Sequence, residues 1–253
     1  MSHKSFVKML ILLSIFSISA GAQNIEAVKS ISIIDCPSAA TLERGSFLGV
    51  LYMYNNGGML GYLDVGVTNR MMFGISYGGT NLIGSGSVDW NPQVAVNIRY
   101  RLIDEALAFP AIAVGYDGQG FGRYIDSLER YEAKSKGLYA VASKSFNFLG
   151  TLAFHGGINY SFERKDNDKD LNAFIGVEKS INTELSLFAE YDLAMNDNTG
   201  KSIGKGNGYL NAAIKWTFQK KLQIDFIWKN ILKNNSMVDG SSREIRISYI
   251  EYF

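Results

Sequence analysis

From Val94 to Leu102 the chain reads Val-Ala-Val-Asn-Ile-Arg-Tyr-Arg-Leu, with apolar or aromatic side chains at every even position and Ala95, Asn97, Arg99 and Arg101 between them. A period of two puts these sets on opposite faces of a β-strand, one oily and one polar. The same pattern recurs over 152–163, where Leu152, Phe154, Ile158, Tyr160 and Phe162 oppose His155, Asn159, Ser161 and Glu163. It recurs again over 184–195, 210–218 and 222–229. Weaker versions occupy 46–54, 59–68, 71–79, 106–116, 138–146, 171–179 and 243–253, which brings the predicted strands to twelve.

An oily strand face turns either to a soluble core or to lipid. The connections separate the two. Numbered from the first strand, the odd ones are long and polar, at 80–92, 117–137, 164–170, 197–207 and 232–242, apart from a tight first turn at 55–58. The even ones are short, at 68–70, 103–105, 147–149, 180–182 and 219–221. An even strand number with short turns at one end and long loops at the other is the pattern of bacterial outer-membrane barrels. The ending, Ile245 to Phe253, resembles the C-terminal assembly signal of such proteins. Ile245, Ile247, Tyr249 and Phe253 fit that signal and Glu251 departs from it. The resemblance implies outer-membrane lipid as surroundings and the barrel-assembly machinery as a partner of the last strand.

The start of the chain agrees with export. Lys4 and Lys8 precede an apolar run from Met9 to Ile18, and Ala20-Gly21-Ala22 supplies a small-x-small cleavage site. That run is shorter than the roughly 20 residues of a membrane-spanning helix, and no later stretch reaches that length. The expected organisation is a signal peptide over 1–22, an N-terminal periplasmic segment over 23–45, and an all-β, closed antiparallel transmembrane β-barrel of about twelve strands over 46–253. The 25 basic and 24 acidic residues give no nucleic-acid signature. The single cysteine, Cys36, excludes an internal disulfide.

A twelve-stranded barrel encloses more space than an eight-stranded one, whose own side chains fill it. The polar strand faces are therefore expected to line a partly wet lumen. The candidates are Arg99, Arg101, Lys144, His155, Glu163, Glu190, Asp192, Lys215, Asp225 and Lys229, with Glu178 and Arg246 in the same set. They form either a structural salt-bridge network or a solute-selecting one. In the longest connection, Gly118, Gly120 and Gly122 precede Tyr124, Leu128 and Tyr131 at helical spacing, which predicts a short amphipathic helix. If that loop folds inward, Arg123, Arg130 and Lys134, with Glu129 and Lys136, line a constriction; otherwise they belong to a surface cap.

Several motifs lack the context that their chemistry needs. Gly74-Ile75-Ser76-Tyr77-Gly78 matches a nucleophile-elbow string, but Ser76 sits inside an alternating strand with no helix after it. His155 is the one histidine after the signal, so any Ser-His chemistry would need it, with Ser161 or Ser76 as nucleophile and Glu163 as orienting group. Asp166-Asn167-Asp168-Lys169-Asp170 imitates the start of a calcium loop, yet Val177 stands where a bidentate glutamate is required. Gly200-Lys201-Ser202 has Met195 where a phosphate-binding loop has its first glycine. No metal, cofactor or catalytic residue is expected, and the chain is read as a non-enzyme.

The segment Asp35 to Phe47, with Pro37-Ser38-Ala39 followed by Gly45-Ser46-Phe47, resembles the lead-in to the first strand of YjbH-like outer-membrane barrels. That family is linked to exopolysaccharide production and secretion, so the resemblance implies an envelope role near such machinery. The leading expectation is a narrow channel or export conduit for a small polar or charged solute or a saccharide. A closed structural barrel supporting envelope or exopolysaccharide machinery is the first alternative, and a lipid-modifying hydrolase using His155 is the second.

Overall fold

The computed structural model describes residues 30–238 and 240–253. The predicted signal peptide and residues 23–29 lie outside the described residues. The strands are β1 (Ser46–Tyr54), β2 (Gly58–Thr68), β3 (Met71–Thr80), β4 (Asp89–Trp90), β5 (Ala95–Ile103), β6 (Ala111–Asp117), β7 (Phe121–Ile125), β8 (Arg130–Ala133), β9 (Gly137–Asn147), β10 (Thr151–Tyr160), β11 (Asn172–Ser180), β12 (Leu185–Asp192), β13 (Tyr209–Phe218), β14 (Leu222–Lys229) and β15 (Ser242–Tyr252). All except β4, β7 and β8 form one antiparallel barrel, closed by pairing of β1 with both β2 and β15. Closure is what hydrocarbon demands, because an open sheet edge would leave a row of amides and carbonyls with nothing to bond.

The alternation sorts the side chains as the pattern requires. Leu187, Ile214, Trp216, Phe226 and Trp228 stand on the outside, and Glu190, Asn211, Lys215, Asp225 and Lys229 are buried inside. The short connections and both ends of the barrel, Gly45 and Phe253, lie together at one rim, the periplasmic one by the length rule. At the other rim the β1–β2 turn carries Asn56 and Gly57 at φ 57° and 60°, the paired left-handed conformation that a two-residue hairpin needs.

Three expectations change. The strand predicted over 106–116 begins at Ala111, because Pro110 has no amide to offer the ladder. No helix forms in the longest loop. Its residues make the hairpin β7–β8, in which Tyr124 faces Tyr131 across a turn with Glu129 at φ 45°; a seven-residue spacing fits a cross-strand pair as well as a helix face. The described part of the segment placed ahead of the barrel does not stay outside it. Residues 30–42 run up the lumen.

The lipid-facing assignment is testable at Ile214, midway along β13 and 47% exposed. Ile214→Lys is expected to cost about 2–4 kcal/mol in urea titrations of the vesicle-inserted barrel, whereas Leu149→Lys in a rim turn costs less than about 1 kcal/mol.

Candidate functional site

The chain enters from the periplasmic rim through Leu42 and Glu43, which cross β2 so closely that a Cβ on Gly66 would lie 1.8 Å from the Glu43 carbonyl oxygen. Leu42 packs there with Leu48, Met72 and Ile250 as an apolar collar. Residues 30–40 then form a hairpin whose turn is closed by the Ile33 amide on the Cys36 carbonyl at 2.9 Å, with Ser32 bridged to Pro37. Ile33, Ile34, Cys36 and Ala39 are buried among Phe174, Phe188, Ala213 and Ile227 of the wall. A Cβ on Gly176 would meet Ile33 Cδ1 at 2.7 Å, so this glycine shapes the seat for that side chain.

The wall binds mainly the hairpin's backbone. Glu190, 1% exposed, accepts hydrogen bonds from the amides of Ile34 (2.9 Å), Asp35 (3.0 Å) and Cys36 (2.7 Å), and from Asn211 (3.1 Å). Arg246 donates to the carbonyls of Ile34 (2.7 Å) and Ile33 (3.4 Å) while Asp225 anchors its guanidinium at 2.7 Å. Arg99 donates to the carbonyls of Ile31 and Ala40, both at 2.7 Å, and to the Tyr139 hydroxyl at 2.8 Å. Lys229 pairs with Asp35 at 2.8 Å, and Lys215 reaches the Ser30 hydroxyl at 3.2 Å. Ser143 accepts the Ala39 amide at 2.9 Å and bonds His155 Nδ1 at 2.8 Å. Two spaces flank the hairpin: a cavity of about 90 Å³ beside it, against β1, β2, β14 and β15, and a vestibule of about 930 Å³ below it, which His155 and Glu178 help to line.

Above the hairpin, the outer loops pack over the mouth. Phe121 of β7 packs edge-on against Tyr52, and the Gln119 side chain accepts a hydrogen bond from Ser76 at 3.0 Å. Arg130 is fully buried and donates to Asp166 (2.7 Å) and Asp197 (2.5 Å), with Lys134 also on Asp166 at 2.7 Å. The Asp166 carboxylate of the calcium-like string is thus taken by cationic side chains, and that of Asp168 by the amides of Asn198 and Thr199. Burial works against the Asp168 carboxylate, yet those amides outweigh it and hold its pKa below the ordinary range. Gly200-Lys201-Ser202 belongs to the same cap through the Ser202 hydroxyl on Asp168.

Of the predicted lumenal residues, Arg99, Glu190, Asp192, Lys215, Asp225, Lys229 and His155 are buried on the inner wall. Apart from His155, which helps to line the vestibule, they lie against the hairpin. Arg101 lies at the periplasmic rim and pairs with Asp104 at 2.8 Å. Lys144 is a correction. It shares its face with Leu138 and pairs in register with Phe154, both outward, and its amino group reaches back along the rim to the Ala106 carbonyl at 2.6 Å. Glu163 is another, since β10 ends at Tyr160; in the outer loop it accepts the amides of Tyr131 and Ser135, both at 3.1 Å. Burial pushes its carboxyl above the ordinary range. Among the constriction candidates, Arg130, Lys134 and Lys136 are buried in the cap, the last paired with Asp192. Arg123 is exposed beside Asp89, and Glu129 pairs with Lys165 at the surface. Asp35, Asp64, Ser143 and Glu244 complete the site without having been singled out from the sequence.

The catalytic set does not assemble. Ser161 stands six residues from His155, about 20 Å along an extended chain. Ser76 bonds Gln119, Glu163 lies in the cap, and His155 Nε2 has no hydrogen-bond partner among the described residues.

No family model and no curated protein matches this sequence. Solved structures do. The KdgM porin in complex with disordered oligogalacturonate is 11% identical with a TM-score of 0.50, covering 81% of this chain and 98% of its own. The KdgM porin alone is also 11% identical, with a TM-score of 0.49 over 82% and 99%. The COG4313 outer membrane channel from Pseudomonas putida F1 is 13% identical, with a TM-score of 0.44 over 86% and 100%. At these identities the likeness speaks for the fold alone. The closed antiparallel sheet and its apolar outer face make the chain a β-barrel of the outer-membrane type. Residues 35–47, which carry the YjbH-like resemblance, are the hairpin's turn and second limb and the lead-in to β1.

Cys36 reports on the hairpin directly, because it is fully buried and is the chain's single cysteine. The folded protein is expected to resist a water-soluble maleimide. Glu190→Ala leaves the amides of Ile34, Asp35 and Cys36 without an acceptor, at about 1–3 kcal/mol for each buried one, so labelling of Cys36 should accelerate by roughly tenfold or more.

Proposed function

We propose that this barrel is an outer-membrane channel for a small polar or charged solute, closed in the described state by its own N-terminal hairpin. The observation that carries this reading is how the hairpin is held. The groups that grip it are fixed by partners on the wall itself: Arg246 by Asp225, Arg99 by Tyr139, Ser143 by His155 and Glu190 by Asn211. A lumen organised in this way keeps its polar lining when the hairpin leaves. The barrel would therefore remain intact around a polar passage, which a packed structural core would not. The porin complex with oligogalacturonate supports a polar solute as cargo, and the resemblance of residues 35–47 to exopolysaccharide-associated barrels makes a saccharide a candidate.

One observation favours the second reading, a closed barrel serving the envelope as a structural partner. The lumen is filled at two levels, by the hairpin and by the cap around Arg130. Planar-bilayer recording separates the readings. Gly176→Leu crowds the Ile33 seat without changing any charge, and overpacking of that kind costs roughly 1–3 kcal/mol. Wild type is expected to show rare current steps, and the variant an open probability about ten- to a hundredfold higher. A variant that inserts, retains its β-structure and stays as silent as wild type supports the structural reading.

A further inference from the structure

We infer that the opened lumen selects small organic cations, bearing amine or guanidine groups, over anions; this rests on the channel reading above. The first support is the fixed charge of the inner wall. Asp64, Glu178, Glu190, Asp192, Asp225 and Glu244 are buried there against Arg99, Lys215, Lys229 and Arg246. Acids prevail even when Lys136, from the loop before β9, is counted with the bases. Withdrawal of the hairpin strips Glu190 of three amide donors, while Arg246 keeps Asp225 and Lys229 keeps Glu244. Arg246 and Arg99 lose carbonyl partners in the same step, but the freed Glu190 carboxylate lies on a wall where acids outnumber bases.

The second support is already visible with the hairpin in place. The cavity of about 90 Å³ is bounded by Asp35 on the hairpin and by Tyr62, Asp64 and Asp225 on the wall, with Arg99, Lys215 and Arg246 also in its lining. Asp225 is 2% exposed, and its Oδ1, the Asp35 Oδ1 and the Tyr62 hydroxyl are buried without a hydrogen-bond partner among the described residues. The two carboxylate oxygens only accept, so a ligand that satisfies them must donate.

The third support is the aromatic lining. The Lys215 ammonium lies 4.5 Å from the Phe188 ring centroid, and that of Lys229 lies 4.6 Å from Phe121 and 5.6 Å from Tyr52. Arg99 lies 5.8 Å from Tyr139. Aromatic faces combined with carboxylates stabilise a cation that has lost its water. The wall meets this need for its own buried lysines, and a permeating ammonium poses the same one. An anion meets more carboxylates than bases on this wall.

The test is ion selectivity of two opened forms, Gly176→Leu in the full chain and a variant lacking residues 30–40, each in a planar bilayer under a KCl gradient. Potassium is expected to permeate about threefold or more faster than chloride, as charged linings bias a pore. Spermidine should block the current at lower concentration than citrate, and Glu190→Gln in either opened form should move the permeability ratio toward one. Conductance with chloride preference, or block by citrate rather than spermidine, overturns the cation inference and leaves the channel reading standing. Absence of current from both variants, each inserted as a folded barrel, overturns the channel reading and this inference with it.

Discussion

Three consecutive main-chain amides, those of Ile34, Asp35 and Cys36, converge on the carboxylate of Glu190 in the middle of the barrel. The arrangement answers two problems together. A glutamate buried to this degree needs donors, and a tight turn inside a protein leaves amides that need acceptors. Neither partner is satisfied without the other. The carbonyls on the same turn go to Arg246, which Asp225 neutralises, so a segment with little regular structure becomes a fixed occupant of the lumen. The remaining lumenal contacts are arranged around this exchange: Arg99 and Ser143 hold the lower limbs, and Lys229 pairs with Asp35 at the tip.

The barrel was legible in the sequence because its physical constraints are periodic. Strand faces that alternate between lipid and lumen impose a period of two, and the membrane imposes unequal connections at its two sides. The same arithmetic placed Arg99, Glu190, Asp192, Lys215, Asp225 and Lys229 inside. It failed for Lys144 because polarity was followed instead of position: Tyr139, Val141 and Ser143 face inward, so residue 144 faces out, where only proximity to the rim makes a lysine tolerable. The hairpin was illegible for a different reason. Ser30 to Ala40 is short and lacks a clear period, and its partners lie 59 to 214 residues away in sequence. Only a tertiary contact such as Gly176 against Ile33 marks the seat, and a glycine within a strand equally suits a bulge or a bend at a barrel corner.

The cap and the hairpin are held in place by different means. In the cap, Arg130 and Lys134 are locked between Asp166 and Asp197, and breaking such a buried set exposes several charges at once. The hairpin is gripped mainly through its backbone, continues into β1 through residues 41–45, and lies above the vestibule.

The seating of the hairpin is tested most directly by disulfide trapping in the outer membrane. The Cys36 sulfur lies 4.0 Å from Asp192 Oδ2, so Asp192→Cys places a second thiol beside the single native one. Mild oxidation should link the two nearly completely, seen as a gel shift reversed by reductant, and the linked barrel should stay electrically silent even with Gly176→Leu present. A thiol pair that remains free under conditions that oxidise an exposed control pair would show that the hairpin does not occupy the lumen, and the account built on it would fall.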